Sequence, residues 1–303
     1  MKLGYNQPPT KVVMEIRMPV KVFDLRLSPF TFRVSTSHPP LFQQLQQLYP
    51  PSTLTEINLD NFIDFEVAYD KPPLALSSAL AFHLGDKHFR FAEKHSLIPT
   101  FEWGLNWCVG NYQSQYLCIH AAVLEKNGFS VVLPAPPGSG KSTLCAMLMF
   151  AGWRLLSDEH CLIDLEDGMI VPCVRPISLK NKSIQVVNHL YPHIDVCHIT
   201  PDTHKGTIGY VTPSKLSWQQ STIKVKPHLV VFPRYDKDQT LLAREQLTQH
   251  EMFMQLAENS FNYSVLGALG FETMAKFVMA NTGYRISYNN GADAITMLEE
   301  LCR

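Results

Sequence analysis

The chain has 303 residues, 46% of them hydrophobic, so it is long and apolar enough to bury a full core, and disorder along its whole length is excluded. Its 26 lysine and arginine residues nearly balance its 27 aspartate and glutamate residues, so no overall field favours nucleic acid or an anionic membrane as a partner. An anionic ligand would have to be bound by local features.

Cysteine usage and hydropathy indicate the cellular compartment. The seven cysteines form no C-x-x-C pair and show no zinc or disulfide spacing. We interpret them as reduced thiols, typical of a cytoplasmic protein. The first residues lack the continuous apolar run of a signal peptide, and no later stretch approaches about eighteen uninterrupted apolar residues. We therefore expect neither secretion nor a membrane span.

The N-terminal third predicts a small α+β module over residues 1–98. Residues 22–36 alternate apolar and polar side chains through a Ser-Pro turn, which predicts a β-hairpin. A helix is predicted next, with one apolar face formed by Leu41, Leu45, Leu48 and Tyr49. Residues 62–70 return to strand alternation, and residues 70–82 carry the turn signals of a connection.

Residues 99–303 are predicted to form the larger, catalytic domain. Residues 101–115 favour a helix packed through Trp103 and Trp107. Two apolar segments, 116–125 and 129–134, then flank Lys126-Asn127-Gly128, a strong hairpin signal.

A phosphate-binding loop is the strongest motif of the chain. Residues 135–142 read A-P-P-G-S-G-K-S, which fits G-x-x-x-x-G-K-[ST] except that Ala135 replaces the first glycine. An apolar strand precedes the motif and a helix follows it, which is the arrangement that aims backbone N–H groups and a helix N-terminus at a phosphate. The predicted nucleotide-binding residues are Pro137, Gly138, Ser139, Gly140, Lys141, Ser142 and Thr143. We expect ATP with Mg²⁺, with Lys141 offsetting phosphate charge and Ser142 ligating the metal.

An acidic pair follows this motif closely. A helix of about ten residues runs roughly 15 Å from the loop, and residues 153–156 are long enough to return as a neighbouring strand whose carboxyl end lies beside the loop. Asp158 and Glu159 would then reach the phosphates at the carboxyl ends of the strands. One acid can hold magnesium while the other accepts a proton from an attacking hydroxyl. The alternative is a polar turn or helix cap.

These motifs resemble a known family. Residues 118–164 are similar to the catalytic core of bacterial HPr kinase/phosphorylase, in which a histidine-bearing strand precedes the phosphate-binding loop and two aspartates close the strand after its helix. Segments 175–181, 203–213, 230–236 and 256–271 resemble the HprK-related kinase A group more closely still. The resemblance spans residues 20–300 approximately. It implies an α/β P-loop kinase core of the HPr kinase and phosphoenolpyruvate carboxykinase type.

The resemblance also implies roles for single residues. It makes Asp158 the general base, places Ser142 and Glu159 near magnesium, and matches His120 to the family histidine that faces the phosphates and the catalytic acid. Lys141 completes the implied catalytic set. Arg175 matches the arginine of the family's E-I-R-G signature, but Cys173 occupies the position of its glutamate, so one metal ligand of the family is absent.

The expected activity is transfer of the ATP γ-phosphate to a hydroxyl acceptor on a small protein, a peptide or a small molecule. Arg175 and Lys205 are candidate phosphate- or substrate-facing residues, and residues 203–206 are a candidate lid loop. The alternative is a nucleotide-sensing regulatory protein that binds ATP without transferring phosphate. Nucleic acid and membranes are not expected as partners, and a homo-oligomer is left open.

Overall fold

The structure, a computed structural model, describes residues 19–70, 80–89, 96–136 and 138–302. Pro137 and most of the predicted connection at 70–82 lie outside the described residues. The described parts form a mixed α/β fold with several sheets. No helix in these parts is long and apolar enough to cross a membrane.

The N-terminal elements form one sheet with helices beside it. In chain order they are β1 (Lys21–Leu27), β2 (Phe30–Thr36), α1 (Pro39–Leu48), β3 (Leu54–Thr55), β4 (Phe65–Asp70), β5 (Ala81–Leu84), β6 (Lys87–Phe89) and α2 (Leu97–Tyr112). The strand order is β3-β1-β2-β4-β5-β6. The predicted hairpin is confirmed, since β1 and β2 pair antiparallel with Leu27 opposite Phe30. The predicted helix is also confirmed, and it begins at Pro39 because proline is accepted in a first helical turn.

Helix α2 packs against this N-terminal sheet. Phe101 and Leu105 are buried in one apolar cluster with Phe32 of β2 and Phe82 of β5. The approach is close: a Cβ on Gly104 would lie 2.3 Å from the Phe82 ring. The same cluster continues into Cys118 and Leu162 of the larger sheet. The domain boundary between residues 98 and 99 stays a prediction, and in the structure it falls inside α2.

The remaining elements surround a larger mixed sheet and a small one. The first group is β7 (Tyr116–Lys126), β8 (Phe129–Pro134), α3 (Lys141–Phe150), β9 (Arg154–Ser157), β10 (His160–Asp164), β11 (Ile170–Val171), β12 (Ile177–Lys180), α4 (Lys182–Leu190), β13 (Cys197–Thr203) and β14 (Gly206–Val211). The second group is α5 (Lys215–Gln219), β15 (Leu229–Tyr235), β16 (Ala243–Leu247), α6 (Gln249–Glu258), α7 (Gly267–Ala280), β17 (Thr282–Tyr288) and α8 (Gly291–Leu301). The large sheet has the order β11-β10-β7-β8-β15-β17-β16, with β9 also paired to β7, and the small sheet has the order β12-β14-β13.

The large sheet is covered by helices on both faces. Along β7, Ala122 and Leu124 join a cluster with α3 and α8, whereas Ala121 and Val123 join a cluster with α6 and α7. Strand side chains alternate between faces, so the near-continuous apolar run of β7 follows from burial on both sides. The predicted phosphate-binding loop begins at the carboxyl end of β8. Because the sheet is packed on both faces, this end of the strand is held in place.

Strand β9 occupies most of the segment 153–156 that was predicted to return as a strand. It pairs antiparallel with β7 and not with β8, and the carbonyl of Asp158, directly after β9, accepts from Lys141 of the loop. The edges of β8 are already taken: β7 pairs with one through the Asn127-Gly128 turn, and β15 pairs parallel with the other. Residues 154–157 therefore take the far side of β7.

Candidate active site

The loop between β8 and α3 has the backbone shape of an anion-binding turn. Gly138 and Gly140 have φ values of 89° and 90°, a region that glycine adopts readily and other residues rarely do. Gly140 also lies close to its neighbours, since a Cβ there would be 2.9 Å from Tyr235 Cβ. The Ser139 hydroxyl is buried without a hydrogen-bond partner among the described residues. An orphaned hydroxyl beside two left-handed glycines suits a ligand with phosphate oxygens.

Lys141 is the first residue of α3 and is almost fully buried, with 6% of the residue exposed. Its Nζ donates to the backbone carbonyl of Asp158. The same atom lies 3.9 Å from Asp158 Oδ1 and 3.9 Å from Glu159 Oε2. Burial acts to lower the pKa of Lys141, but Glu159 and Asp158 outweigh it, and the pKa lies above its ordinary value. The lysine is therefore a fixed positive charge between two acids.

Asp158 is buried, and its carboxylate has few polar contacts. Only 4% of the residue is exposed, and neither carboxylate oxygen makes a hydrogen bond of standard geometry within the described parts of the chain. Burial raises the pKa of Asp158 to about 6, against the opposing charge of Lys141 and with the support of the neighbouring Glu159 charge. A buried carboxylate whose pKa is raised can accept a proton from a ligand.

Glu159 is held by His120 across two strands. Strands β7 and β10 pair antiparallel with His120 opposite His160, which brings the His120 ring to Glu159. His120 Nε2 lies 2.9 Å from Glu159 Oε2. Burial acts to raise the pKa of Glu159, but Lys141 and then His120 hold it well below its ordinary value. Glu159 therefore stays ionised, whereas Asp158, whose pKa is raised, is protonated more readily.

Two further predicted loop residues, Ser142 and Thr143, have different surroundings. The Ser142 hydroxyl acts to lower the pKa of Asp158, after the larger effects of burial, Lys141 and Glu159. It is thus near the carboxylate pair. The Thr143 hydroxyl instead donates to Ser183 Oγ of α4 at 2.8 Å, so its side chain is used in helix packing.

The residues present fit a magnesium ion that is shared with a nucleotide. Mg²⁺ prefers oxygen ligands and is commonly held by one or two carboxylates together with substrate phosphates and water. Glu159 and the Ser142 hydroxyl, both beside Asp158, are such oxygen donors. Within the described ranges, no group of three or more histidine, cysteine, aspartate or glutamate side chains could hold a metal.

A cavity of about 60 Å³ adjoins the carboxylate pair. It lies between α2 and the small sheet, and its charged and aromatic lining residues are Glu102, Trp103, Asp158, Glu159, His160, Arg175, Lys180, His204, Lys205 and Tyr210. None of the described residues 138–143 lines it. The acids thus separate this cavity from the loop.

Arg175 lines the cavity, but its donors are directed towards α2. One terminal nitrogen donates to Asn106 Oδ1 at 2.6 Å, and the other donates to the backbone carbonyl of Glu102 at 2.9 Å and pairs with the Glu102 carboxylate. Burial acts to lower the pKa of Arg175, but Glu102 reverses the shift and the pKa is raised. The phosphate-facing role of Arg175 stays a prediction.

Lys205 also lines the cavity, in the turn between β13 and β14. Although Lys205 as a residue is exposed, burial around its ammonium and the charge of Lys180 lower its pKa. The predicted lid at residues 203–206 is this hairpin turn, and Thr203 Oγ1 donates to the Gly206 carbonyl at 2.6 Å. Closure of the turn over a ligand stays a prediction.

Sequence reasoning missed the contribution of α2 to this site. Glu102 lies in an apolar helix and only 4% of it is exposed. A buried acid is rare unless it is paired. The presence of Glu102 within the apolar segment 101–109 could therefore have indicated that this residue has a partner elsewhere in the chain. Buried His160 was missed as well: burial and the charge of Arg175 lower its pKa to about 3.

Comparisons with known proteins leave the family open. A scan against protein-family models found no match, and no curated protein matches the chain. The likeness to HprK-related kinase A therefore depends on the motifs described above.

Proposed function

We propose that the protein is an ATP-dependent phosphotransferase with a hydroxyl acceptor, built on a P-loop core of the HPr kinase and phosphoenolpyruvate carboxykinase type. One observation carries the proposal: the buried carboxylate of Asp158, whose oxygens make no hydrogen bond of standard geometry among the described residues, lies 3.9 Å from the lysine of a glycine-rich loop. Binding of a nucleotide requires only the loop and Lys141. Activation of an acceptor hydroxyl additionally requires a nearby carboxylate that can accept its proton.

In the proposed reaction, Asp158 accepts the proton of the acceptor hydroxyl as its oxygen bonds to the γ-phosphorus. The bond from phosphorus to the oxygen that bridges to ADP breaks, so the products are ADP and a phosphate monoester. Lys141 offsets charge on the phosphates, and the loop N–H groups position them. Ser142 and Glu159 would hold Mg²⁺, which supplies further charge compensation on the phosphate oxygens.

His120 is assigned a positioning role. Its 2.9 Å contact fixes the Glu159 carboxylate, and the ionised state of Glu159 is the one that holds a metal. A group that orients a metal ligand commonly tunes affinity for the metal without contacting the substrate.

Asp158→Asn separates a transferase from a nucleotide sensor. A general base contributes roughly 10²- to 10⁴-fold to the rate, so the variant should retain ATP affinity in calorimetry while losing transfer of label from γ-labelled ATP. Asp195→Asn, at an exposed position, is the matched control and should behave as wild type. Transfer at the wild-type rate by Asp158→Asn would remove Asp158 as the base. ATP bound by wild type but never consumed would favour the sensor.

A further inference from the structure

The cavity beside Asp158 is the natural place for an acceptor. It touches both carboxylates but none of the described loop residues 138–143. If the loop side holds the nucleotide, the cavity side is where a hydroxyl can reach Asp158. The chemistry of the other cavity walls then indicates what carries that hydroxyl.

Two further lysines bring positive charge to this cavity. Lys180 ends β12 and Lys205 lies in the β13–β14 turn, and both line the cavity. Among the described residues, neither ammonium makes a hydrogen bond or an ion pair. Asp158 and Glu159 act on Lys180, and Glu159 acts on Lys205, without a direct ion pair. Two like charges held together in this way still favour a bound anion.

The fold holds these two lysines side by side. Asn181, which follows Lys180, donates through Nδ2 to the Lys205 carbonyl at 3.2 Å. Its Oδ1 accepts from the backbone N–H of Thr207 at 3.0 Å. The backbone of the β13–β14 turn is therefore tied to the end of β12, and the proximity of the lysines is built into the small sheet.

The remaining charges of the cavity cancel in part. Arg175 pairs with Glu102, so these two residues add no net charge. Asp158 and Glu159 share Lys141. Counting the lysines near the carboxylate pair, three positive charges face two negative ones, and the surplus lies on the small-sheet side.

The enclosed part of the cavity has room for a small group. A site for one water needs about 10–15 Å³ measured in this way, so about 60 Å³ corresponds to roughly four to six non-hydrogen atoms. A hydroxyl, a carboxylate and one or two further carbons have that size.

We infer that the acceptor is a small hydroxycarboxylate, bound with its carboxylate at Lys180 and Lys205 and its hydroxyl at Asp158. The inference rests on the proposed phosphotransferase function and names its substrate class. The transferred phosphoryl group forms a bond to the acceptor oxygen and leaves ADP, and the hydroxyl proton goes to Asp158. The products are ADP and the phosphate monoester of the acid.

The test uses the full chain with ATP and Mg²⁺, and glycolate, lactate and 3-hydroxypropionate as probes. We expect ADP formation that depends on the acid, with the phosphorylated acid detected as product. Acetate and propionate, which lack the hydroxyl, should compete with the acceptor, whereas neutral ethylene glycol should not. Lys180→Met and Lys205→Met should each raise KM for the acid about tenfold or more, because each removes a charge-assisted contact.

The control variant is Lys182→Met, on the exposed first turn of α4. It should leave the KM for ATP and the KM for the acid unchanged. Lys180→Arg keeps the charge and should restore part of the acid affinity. Failure of all three acids to accept phosphate while a peptide or protein does overturns the inference and leaves the phosphotransferase standing. An increase in KM for ATP in the lysine variants, with KM for the acid unchanged, also overturns it, because the lysines would then serve the nucleotide. Absence of ATP binding overturns both proposals.

Discussion

Tyr49, directly after α1, donates its hydroxyl to Glu102 of α2 at 2.6 Å, and Glu102 in turn pairs with Arg175 in the wall of the cavity. A residue of the N-terminal module is thus one hydrogen bond removed from the candidate acceptor site. Burial and the charge of Glu102 raise the pKa of Tyr49 well above its ordinary value, so the phenol stays a donor.

Tyr49→Phe should therefore destabilise the protein. The variant leaves the Glu102 carboxylate, which is buried, with one donor fewer, and a hydrogen bond to a charged group contributes about 1.5–3 kcal/mol to the free energy of unfolding. Denaturation by urea measures the change. Tyr263→Phe is the control, because no hydrogen bond of the Tyr263 hydroxyl occurs among the described residues, and it should change stability little. Equal stability of the two variants would contradict the importance of this bond.

Lys141→Ala should remove most nucleotide affinity. The lysine is the cation that the loop presents to phosphate, and its side chain is buried between Asp158 and Glu159. Without it, two neighbouring carboxylates repel a nucleotide, so the affinity for Mg-ATP in calorimetry should fall by at least about 100-fold, or about 2.8 kcal/mol. Lys215→Ala, at an exposed position on α5, should bind as wild type.

Thermal unfolding must accompany the Lys141→Ala measurement. Loss of Lys141 also leaves Asp158 and Glu159 without their shared cation, so some loss of stability is expected. A folded variant with unchanged ATP affinity would refute the assignment of the loop.

Much of the fold could be predicted from local sequence patterns. The β1–β2 and β7–β8 hairpins follow from side-chain alternation and from turn chemistry at Asn127-Gly128, both of which are properties of adjacent residues. The short spacing between Lys141 and Asp158 was likewise sufficient to expect that they meet, and they lie 3.9 Å apart. Their catalytic roles stay predictions.

The strand order of the large sheet and the contact of α2 with Arg175 could not be predicted from local patterns. The insertion of β7 between β8 and β9 depends on which strand edges are free after the hairpin forms, which is a long-range property. The pairing of Glu102 with Arg175 depends on packing of α2 against the larger sheet. A buried acid signals that a partner exists, but periodicity does not identify the partner.

Gly140→Ala should both destabilise the protein and weaken nucleotide binding. Its φ of 90° costs a non-glycine residue about 1–3 kcal/mol, and the added methyl would lie 2.9 Å from Tyr235 Cβ. The loop must shift to relieve that contact. Gly168→Ala separates the two effects, because φ is 71° there but nothing lies within 4 Å of the added methyl.

Gly168→Ala should therefore lose stability from backbone strain alone and keep the ATP affinity of the wild type. Calorimetry and urea denaturation of both variants provide the comparison. If Gly140→Ala binds ATP as tightly as Gly168→Ala, the close packing of the loop against Tyr235 has no part in ligand binding.

The Asp24–Arg33 pair between β1 and β2 should make stability depend on pH in the acid range. Arg33 Nε lies 2.9 Å from Asp24 Oδ1, and the Asp24 side chain is fully buried. The hydrogen bond from Arg33 lowers the pKa of Asp24, against a smaller opposing effect of burial. Because the folded pKa lies below the unfolded value, the stabilisation is present above the unfolded pKa of about 3.9 and is lost as pH falls through the folded pKa.

Asp24→Asn removes this titration. The variant should be less stable than wild type at pH 7, and the difference should shrink as pH falls below about 4, because the wild type then protonates Asp24 and loses the same contact. Free energies of unfolding from urea titrations between about pH 2.5 and 7 measure the two curves. Asp60→Asn, at an exposed position in the same module, should follow the wild-type curve. A constant difference between Asp24→Asn and wild type across this range would show that Asp24 contributes through packing and not through its charge.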